Sequence, residues 1–180
     1  EVIPSLQEWY GYEGDFELTE SSKIIYNDTA DAGIREAAWN MQEDLKEIAG
    51  LDLTVEEGNA PASSNDIYIE SQTDDTYGVG DEGYLLKTDD EGVHIYAPTY
   101  TGCLYGTITV EQILDQAEDN RTVPKGITRD YPAYEVRGIM LDVARTPYRL
   151  SQLQDYAKIM LWYKMNEYHL HINDNDNCNT

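Results

Sequence analysis

Three groups of residues near the end of the chain have types and spacing that could do chemistry. The first is Asp142-Val143-Ala144-Arg145, at the end of an apolar run, VRGIMLD, over 136–142. The second is His169 and His171, two residues apart in YHLHI over 168–172, and the third is the polar run Asn173-Asp174-Asn175-Asp176 that follows. An arginine offers several hydrogen-bond donors in a fixed fork that suits hydroxyl oxygens, and a carboxylate can orient a histidine or accept a hydroxyl proton. Two histidines at strand spacing share one face, the H-x-H arrangement that opens some metal sites.

Each group has a plainer reading. Surface arginines usually pair with carboxylates, of which this chain has many. The composition of NDNDN says turn. Asp142 reads as buried hydrogen-bonded structure in preference to a group supporting a site. No metal is expected at His169 and His171, because further His and Asp ligands are missing. A calcium loop at Asp174 to Asp176 lacks the glycine and the distal glutamate of an EF-hand. The 15 tyrosines and three tryptophans could stack on sugar rings, but most read as ordinary strand and core residues.

The elements that must position these groups follow from patterning. VRGIMLD is nearly all apolar, as a strand buried on both faces should be. Ser151 with Gln154 predicts a capping box ahead of Leu153, Ala157, Met160 and Leu161 at helical spacing. Lys164-Met165-Asn166 ends that helix and YHLHI forms a second strand, which gives strand, helix and strand in the spacing of one parallel βαβ unit. In parallel α/β folds ligands meet the chain just past the carboxyl ends of the strands, and that rule selects Arg145 and Asp174. Two strands and one helix leave apolar faces uncovered, so 134–180 is not expected to be stable alone.

Earlier in the chain the pattern differs. FELTE and KIIYN read as short strands joined by Ser21-Ser22, with Asn27-Asp28-Thr29 as turn and cap. From Asp31, the residues Ile34, Ala38, Met41, Leu45 and Ile48 predict an amphipathic helix closed by Gly50. Leu51–Val55, DIYIE at 66–70, GYLLKT at 83–88 and GVHIYA at 92–97 read as strands, the last two as a hairpin over Asp89-Asp90-Glu91. Thr101–Leu114 returns to helical spacing, and KGITRDYPA at 125–133 has the composition of a linker. The fold class expected is an α+β domain over 1–130, with a mostly antiparallel sheet and two helices on one face, followed from 134 to 180 by the start of a truncated (β/α)₈ TIM barrel.

Bulk composition bounds the rest. The 180 residues carry 35 acidic against 12 basic side chains, a net charge of -23, which repels a phosphate backbone or an anionic membrane. Nucleic acid is not an expected partner. No apolar run approaches the ~20 residues of a membrane span, and the chain reads as soluble. Cys103 and Cys178 are expected to be free thiols. Glu1 opens the sequence without a methionine, consistent with a removed leader.

YEVRGIMLDVAR at 134–145 and YKMNEYHLHINDN at 163–175 resemble the opening of the catalytic barrel of family 20 glycoside hydrolases, which include β-N-acetylhexosaminidases and lacto-N-biosidases. DLKEIAGLDLTV, GYLLKTDDEGVHIYAPTYTGCLYG and DYPAYEVRG resemble that family's small N-terminal domain. The resemblance implies that Arg145 holds hydroxyls of the terminal sugar, and that Asp174 supports a histidine linked to the general acid. The family commonly has His and aromatic residues after that arginine and two consecutive aspartates on strand two, where this chain reads Thr146-Pro147-Tyr148 and Asp174-Asn175. The family reaction is retaining hydrolysis in which the substrate's own acetamido oxygen attacks the anomeric carbon, assisted by an Asp-Glu pair on the fourth barrel strand. The resemblance therefore implies an enzyme acting on glycans with terminal β-linked N-acetylhexosamine, no cofactor, and an inactive polypeptide where the barrel stops at its second strand. It also implies an extracellular or cell-surface bacterial protein. A second copy of the chain could cover the open barrel edge. The alternative is a stand-alone carbohydrate-binding or interaction module whose βαβ tail packs on the first domain or on another copy.

Overall fold

The computed structural model describes residues 1–27 and 33–173. Two compact units form, Glu1–Pro132 and Ala133–Thr180. The first contains β1 (Tyr10–Glu17), β2 (Lys23–Tyr26), α1 (Gly33–Ala49), β3 (Thr54–Glu57), β4 (Ile67–Ser71), β5 (Tyr84–Asp89), β6 (Gly92–Ala97), α2 (Tyr100–Gln116) and β7 (Thr122–Asp130). The second contains β8 (Gly138–Asp142), α3 (Leu150–Trp162) and β9 (Glu167–His171). No helix among the described residues is long and apolar enough to cross a membrane.

The first unit is built on a seven-stranded sheet in the order β1-β7-β5-β6-β4-β2-β3. It is mixed where the pattern suggested mostly antiparallel. β1-β7, β7-β5 and β5-β6 run antiparallel, whereas β6-β4, β4-β2 and β2-β3 run parallel. The cause is connectivity: β2 reaches β3 through the long crossover of α1, and such a connection brings the chain back in the same direction. β1 and β2 consequently lie far apart in the sheet, and Ser21-Ser22 is a local turn in which the Ser22 N–H donates to the Thr19 carbonyl at 3.0 Å.

Both helices touch β4 and each other, which places them on one face of the sheet. That face is apolar: Ile24, Ile67, Ile69, Leu86, Val93 and Ile95 are buried there against Ile34, Met41 and Leu45 of α1 and Ile108 of α2. Gly50 has φ 66°, the left-handed cap expected for α1. The capping expectations at Asp28-Thr29 and Asp31 lie outside the described residues. A Cβ on Gly102 would strike the Gly83 carbonyl and lie 2.7 Å from the Ala97 Cβ, so α2 approaches β5 and β6 at backbone distance.

Residues 125–130 of the stretch expected to be a linker belong to β7, which is paired on both sides. Its inward alternation over 126–130 is carried by Gly126, Thr128 and Asp130, residue types that hide a strand from a hydrophobic pattern. Asp130 is inside because the Tyr84 hydroxyl donates to its Oδ2 at 2.6 Å and the Gln7 N–H donates to its Oδ1 at 3.0 Å. β1 begins at Tyr10, ahead of FELTE, and Phe16 is its one buried residue. β3 starts at Thr54; Leu51 and Leu53 are buried in the connection before it.

In the second unit β8 and β9 pair in parallel, Gly138 opposite Glu167 through Asp142 opposite His171. Their exposure alternates, with Ile139, Leu141, Tyr168 and Leu170 half-buried and Met140 and His169 exposed. The apolar run of β8 is thus sheltered on one face, not both. The helix begins at Leu150 with Arg149 as its N-cap, and the Arg149 N–H donates to the Gln152 Oε1 at 3.0 Å. This one-sided cap, to which the arginine side chain can return no acceptor, sits two residues before the expected Ser151 and Gln154, which lie inside the helix. Lys164 closes it at φ 54°.

Candidate functional site

β8 ends at Asp142, whose carboxylate organises the turn beyond it. Oδ1 accepts the N–H groups of Ala144 and Arg145, each at 3.1 Å, and Oδ2 lies 3.4 Å from the Arg145 Nε. Residues three apart in a tight turn can make both contacts because the backbone folds back over the side chain, an Asx-type arrangement. Asp142 was expected to be buried; its side chain is 30% exposed because the turn, not a second sheet neighbour, surrounds it.

Arg145 is presented outward, its side chain 73% exposed. Its Nε faces the Asp142 carboxylate, and the exposed side chain lies just past the end of the strand. A guanidinium fork can hold vicinal hydroxyls, since it offers parallel donors at fixed spacing. The Val143 N–H donates to the His171 carbonyl at 3.1 Å, so the ends of the two strands are tied together directly below Arg145.

His171 stands opposite Asp142 in the parallel register and His169 opposite Met140. Among the described residues, neither histidine belongs to a group of three His, Cys, Asp or Glu side chains close enough to share a metal ion. Asp174, the other candidate, lies outside the described residues, as do Asn175, Asp176 and Cys178. Cys103 is a buried thiol whose S–H donates to the Glu70 carbonyl at 3.5 Å.

A tyrosine cluster beside this strand end was not anticipated. Tyr148, in the connection from β8 to α3, packs edge-on to Tyr156 of α3 with ring centroids 6.3 Å apart. Burial, followed by the nearby Tyr156 and Tyr148, raises the pKa of the Tyr168 phenol above its ordinary value. The signal was the spacing of Tyr148 and Tyr156, two residues ahead of the helix and about two turns into it, which composition alone does not reveal.

Comparison with known proteins places these features in a family. The model of glycosyl hydrolase family 20, domain 2, matches residues 1–131, and that of the family 20 catalytic domain matches 134–178. A β-hexosaminidase of Porphyromonas gingivalis is 29% identical over 180 residues, covering 96% of this chain and 22% of that protein. A lacto-N-biosidase of Bifidobacterium bifidum is 27% identical over 140 residues, covering 78% of this chain and 12% of its own length. A mutant Streptomyces plicatus β-hexosaminidase, solved with its product GlcNAc, superposes with a TM-score of 0.78 at 26% identity, over 96% of this chain and 34% of that one. The chain therefore spans roughly a fifth of the P. gingivalis protein's length and about a third of the S. plicatus chain. With a family model matching well over half of its residues, the chain belongs to glycosyl hydrolase family 20.

Proposed function

We propose that this chain is the N-terminal portion of a glycosidase that removes terminal β-linked N-acetylhexosamine, or a disaccharide containing it, from glycans. In this reading residues 1–130 are a non-catalytic support, and residues 134–180 are the first strand, helix and second strand of a (β/α)₈ barrel. The observation that carries it is Arg145, anchored by Asp142 immediately past the carboxyl end of β8, within the stretch that the catalytic-domain model matches. Ligand-binding groups of such barrels occupy that position.

Arg145 binds hydroxyls of the terminal sugar, and Asp174 positions a histidine that communicates with the general acid. The exposed apolar side chains of the second unit, among them Met140, Ile159 and Ile172, support further barrel elements, or a second copy of the chain, covering them. The reaction is substrate-assisted retaining hydrolysis, with the catalytic Asp-Glu pair on a later strand. The 180-residue polypeptide alone is then inactive, and the parent protein acts outside the cell or at its surface.

The test is hydrolysis of a chromogenic N-acetyl-β-glucosaminide by this chain beside a version extended through the whole barrel. Activity is expected only in the extended protein. Arg145→Ala should lower its kcat/KM by about 10- to 100-fold, the value of one or more lost hydrogen bonds to a charged donor, and Asp174→Asn should lower it as well. Turnover by the short chain would refute the inactive-fragment reading. Inactivity of both proteins, with saturable sugar binding by residues 1–130, would favour a carbohydrate-binding module.

A further inference from the structure

The helix-free face of the first sheet carries a group of side chains outside the proposed sugar site. Asp89, at the end of β5, and Glu91, in the turn, each offer a carboxylate oxygen, and His94 of β6 offers a ring nitrogen, all within 4.8 Å of one another. The hairpin sets this spacing. Asp89 pairs with Gly92 and Lys87 with His94, so Asp89 and His94 are diagonal neighbours on one face, and the two-residue turn returns Glu91 toward them.

The imidazole is built in. His94 is only 5% exposed, its ring lies nearly parallel to that of Tyr96 with centroids 6.1 Å apart, and Tyr68 meets it edge-on at 6.4 Å. Nδ1 lies 3.3 Å from the Tyr96 hydroxyl, whereas Nε2 is buried with no hydrogen-bond partner. A buried ring nitrogen without a partner loses hydration with no return, which a ligand would restore.

We propose that Asp89, Glu91 and His94 bind a first-row divalent cation of the zinc class at the β5–β6 hairpin. One imidazole and two carboxylates suit zinc, which accepts nitrogen and oxygen donors in a four-coordinate shell, and leave a position for water. The same donor set selects against calcium and magnesium, which take oxygen ligands. Lys87 is the internal competitor: its Nζ lies 2.5 Å from the Asp89 Oδ2, so the incoming cation must displace an ammonium from that carboxylate. The partly exposed Lys87 stem gives it somewhere to go.

The experiment is a calorimetric titration of the 180-residue chain with Zn²⁺ in a non-coordinating buffer at pH 7. Saturable binding at the hairpin is expected, unaffected by excess Ca²⁺. Glu91→Gln, at an exposed turn position where folding is not at stake, should weaken it by about tenfold, and Lys87→Met should tighten it by a similar factor. His94→Gln, checked for folding by circular dichroism, should abolish it. A combined His169→Ala, His171→Ala, Cys178→Ser variant should bind as the parent does. The proposal is overturned if Zn²⁺ does not bind, if Glu91→Gln and Lys87→Met leave the affinity unchanged, or if the three-site variant alone removes binding.

Discussion

Glu111 is a carboxylic acid inside the first unit, 1% exposed on α2, and its Oε2 has no hydrogen-bond partner. Burial, and next the charge of Asp44 on α1, raises its pKa well above the ordinary value of 4.5. An acid with a raised pKa in the folded state binds its proton more tightly there than in the unfolded chain. Its contribution is complete below the unfolded pKa and is lost as pH rises toward the folded one. Over that window the stability attributable to Glu111 falls by about 1.4 kcal/mol per pH unit. Glu111→Gln keeps the shape and removes the titration. Near pH 4.5 the variant should match the parent within about 1 kcal/mol, because a neutral amide replaces a neutral carboxyl, and it should become progressively the more stable of the two toward pH 8. Urea unfolding of both proteins at half-unit steps, read as the difference in stability, isolates this group from the other carboxylates. A difference that stays flat with pH would refute the argument by showing that Glu111 is solvated or paired when folded.

Gly102→Val should destabilise the chain by about 2–4 kcal/mol, since the new side chain collides with the Gly83 carbonyl and Ala97; thermal unfolding measures it. Tyr84→Phe removes the hydroxyl that lies 2.6 Å from Asp130 and 2.5 Å from Thr109, and should cost about 1–3 kcal/mol by denaturant titration because it strips a partner from a buried carboxylate. Asp142→Asn keeps an acceptor for the Ala144 and Arg145 N–H groups but removes the charge facing an arginine that is 73% exposed. Its cost should stay below about 1 kcal/mol in the same assay, whereas any loss of activity in the extended enzyme would report the aim of Arg145.

The readable parts of the fold are those where a period repeats. The spacing of Ile34, Ala38, Met41 and Leu45 specified α1, and GYLLKT followed by GVHIYA specified the β5–β6 hairpin, because each buries a continuous apolar stripe or alternates about a short turn. β7 was invisible for the opposite reason. Its inward positions include Gly126, where the Trp9 ring leaves no room for a Cβ, and Asp130, whose charge is accommodated by Tyr84 and Gln7. Only distant partners make those residues suitable for a strand interior, and a local window contains none of them. The parallel half of the sheet was missed similarly: KIIY and TVEE give no sign of direction, which is set by the path of α1 between them.

The candidate site was legible for a different reason, which concerns strand direction and not composition. Once β8 and β9 are read as parallel strands joined by a helix, their carboxyl ends must lie side by side, and the chain leaving each must pass over the same end of the sheet. Arg145 was selectable on that argument without any knowledge of its side-chain contacts. What the pattern did not disclose is how the arginine is held. Asp142 looked like a strand residue because it ends an apolar run, yet its carboxylate makes the turn and meets the Arg145 Nε at 3.4 Å. The same sheet has a sheltered face of Ile139, Leu141, Tyr168 and Leu170 and an opposite face bearing Met140 and His169. A strand with apolar residues on both faces is stable only where both are covered, so exposed Met140 beside exposed His169 marks the face of this two-stranded sheet that its own helix does not shelter.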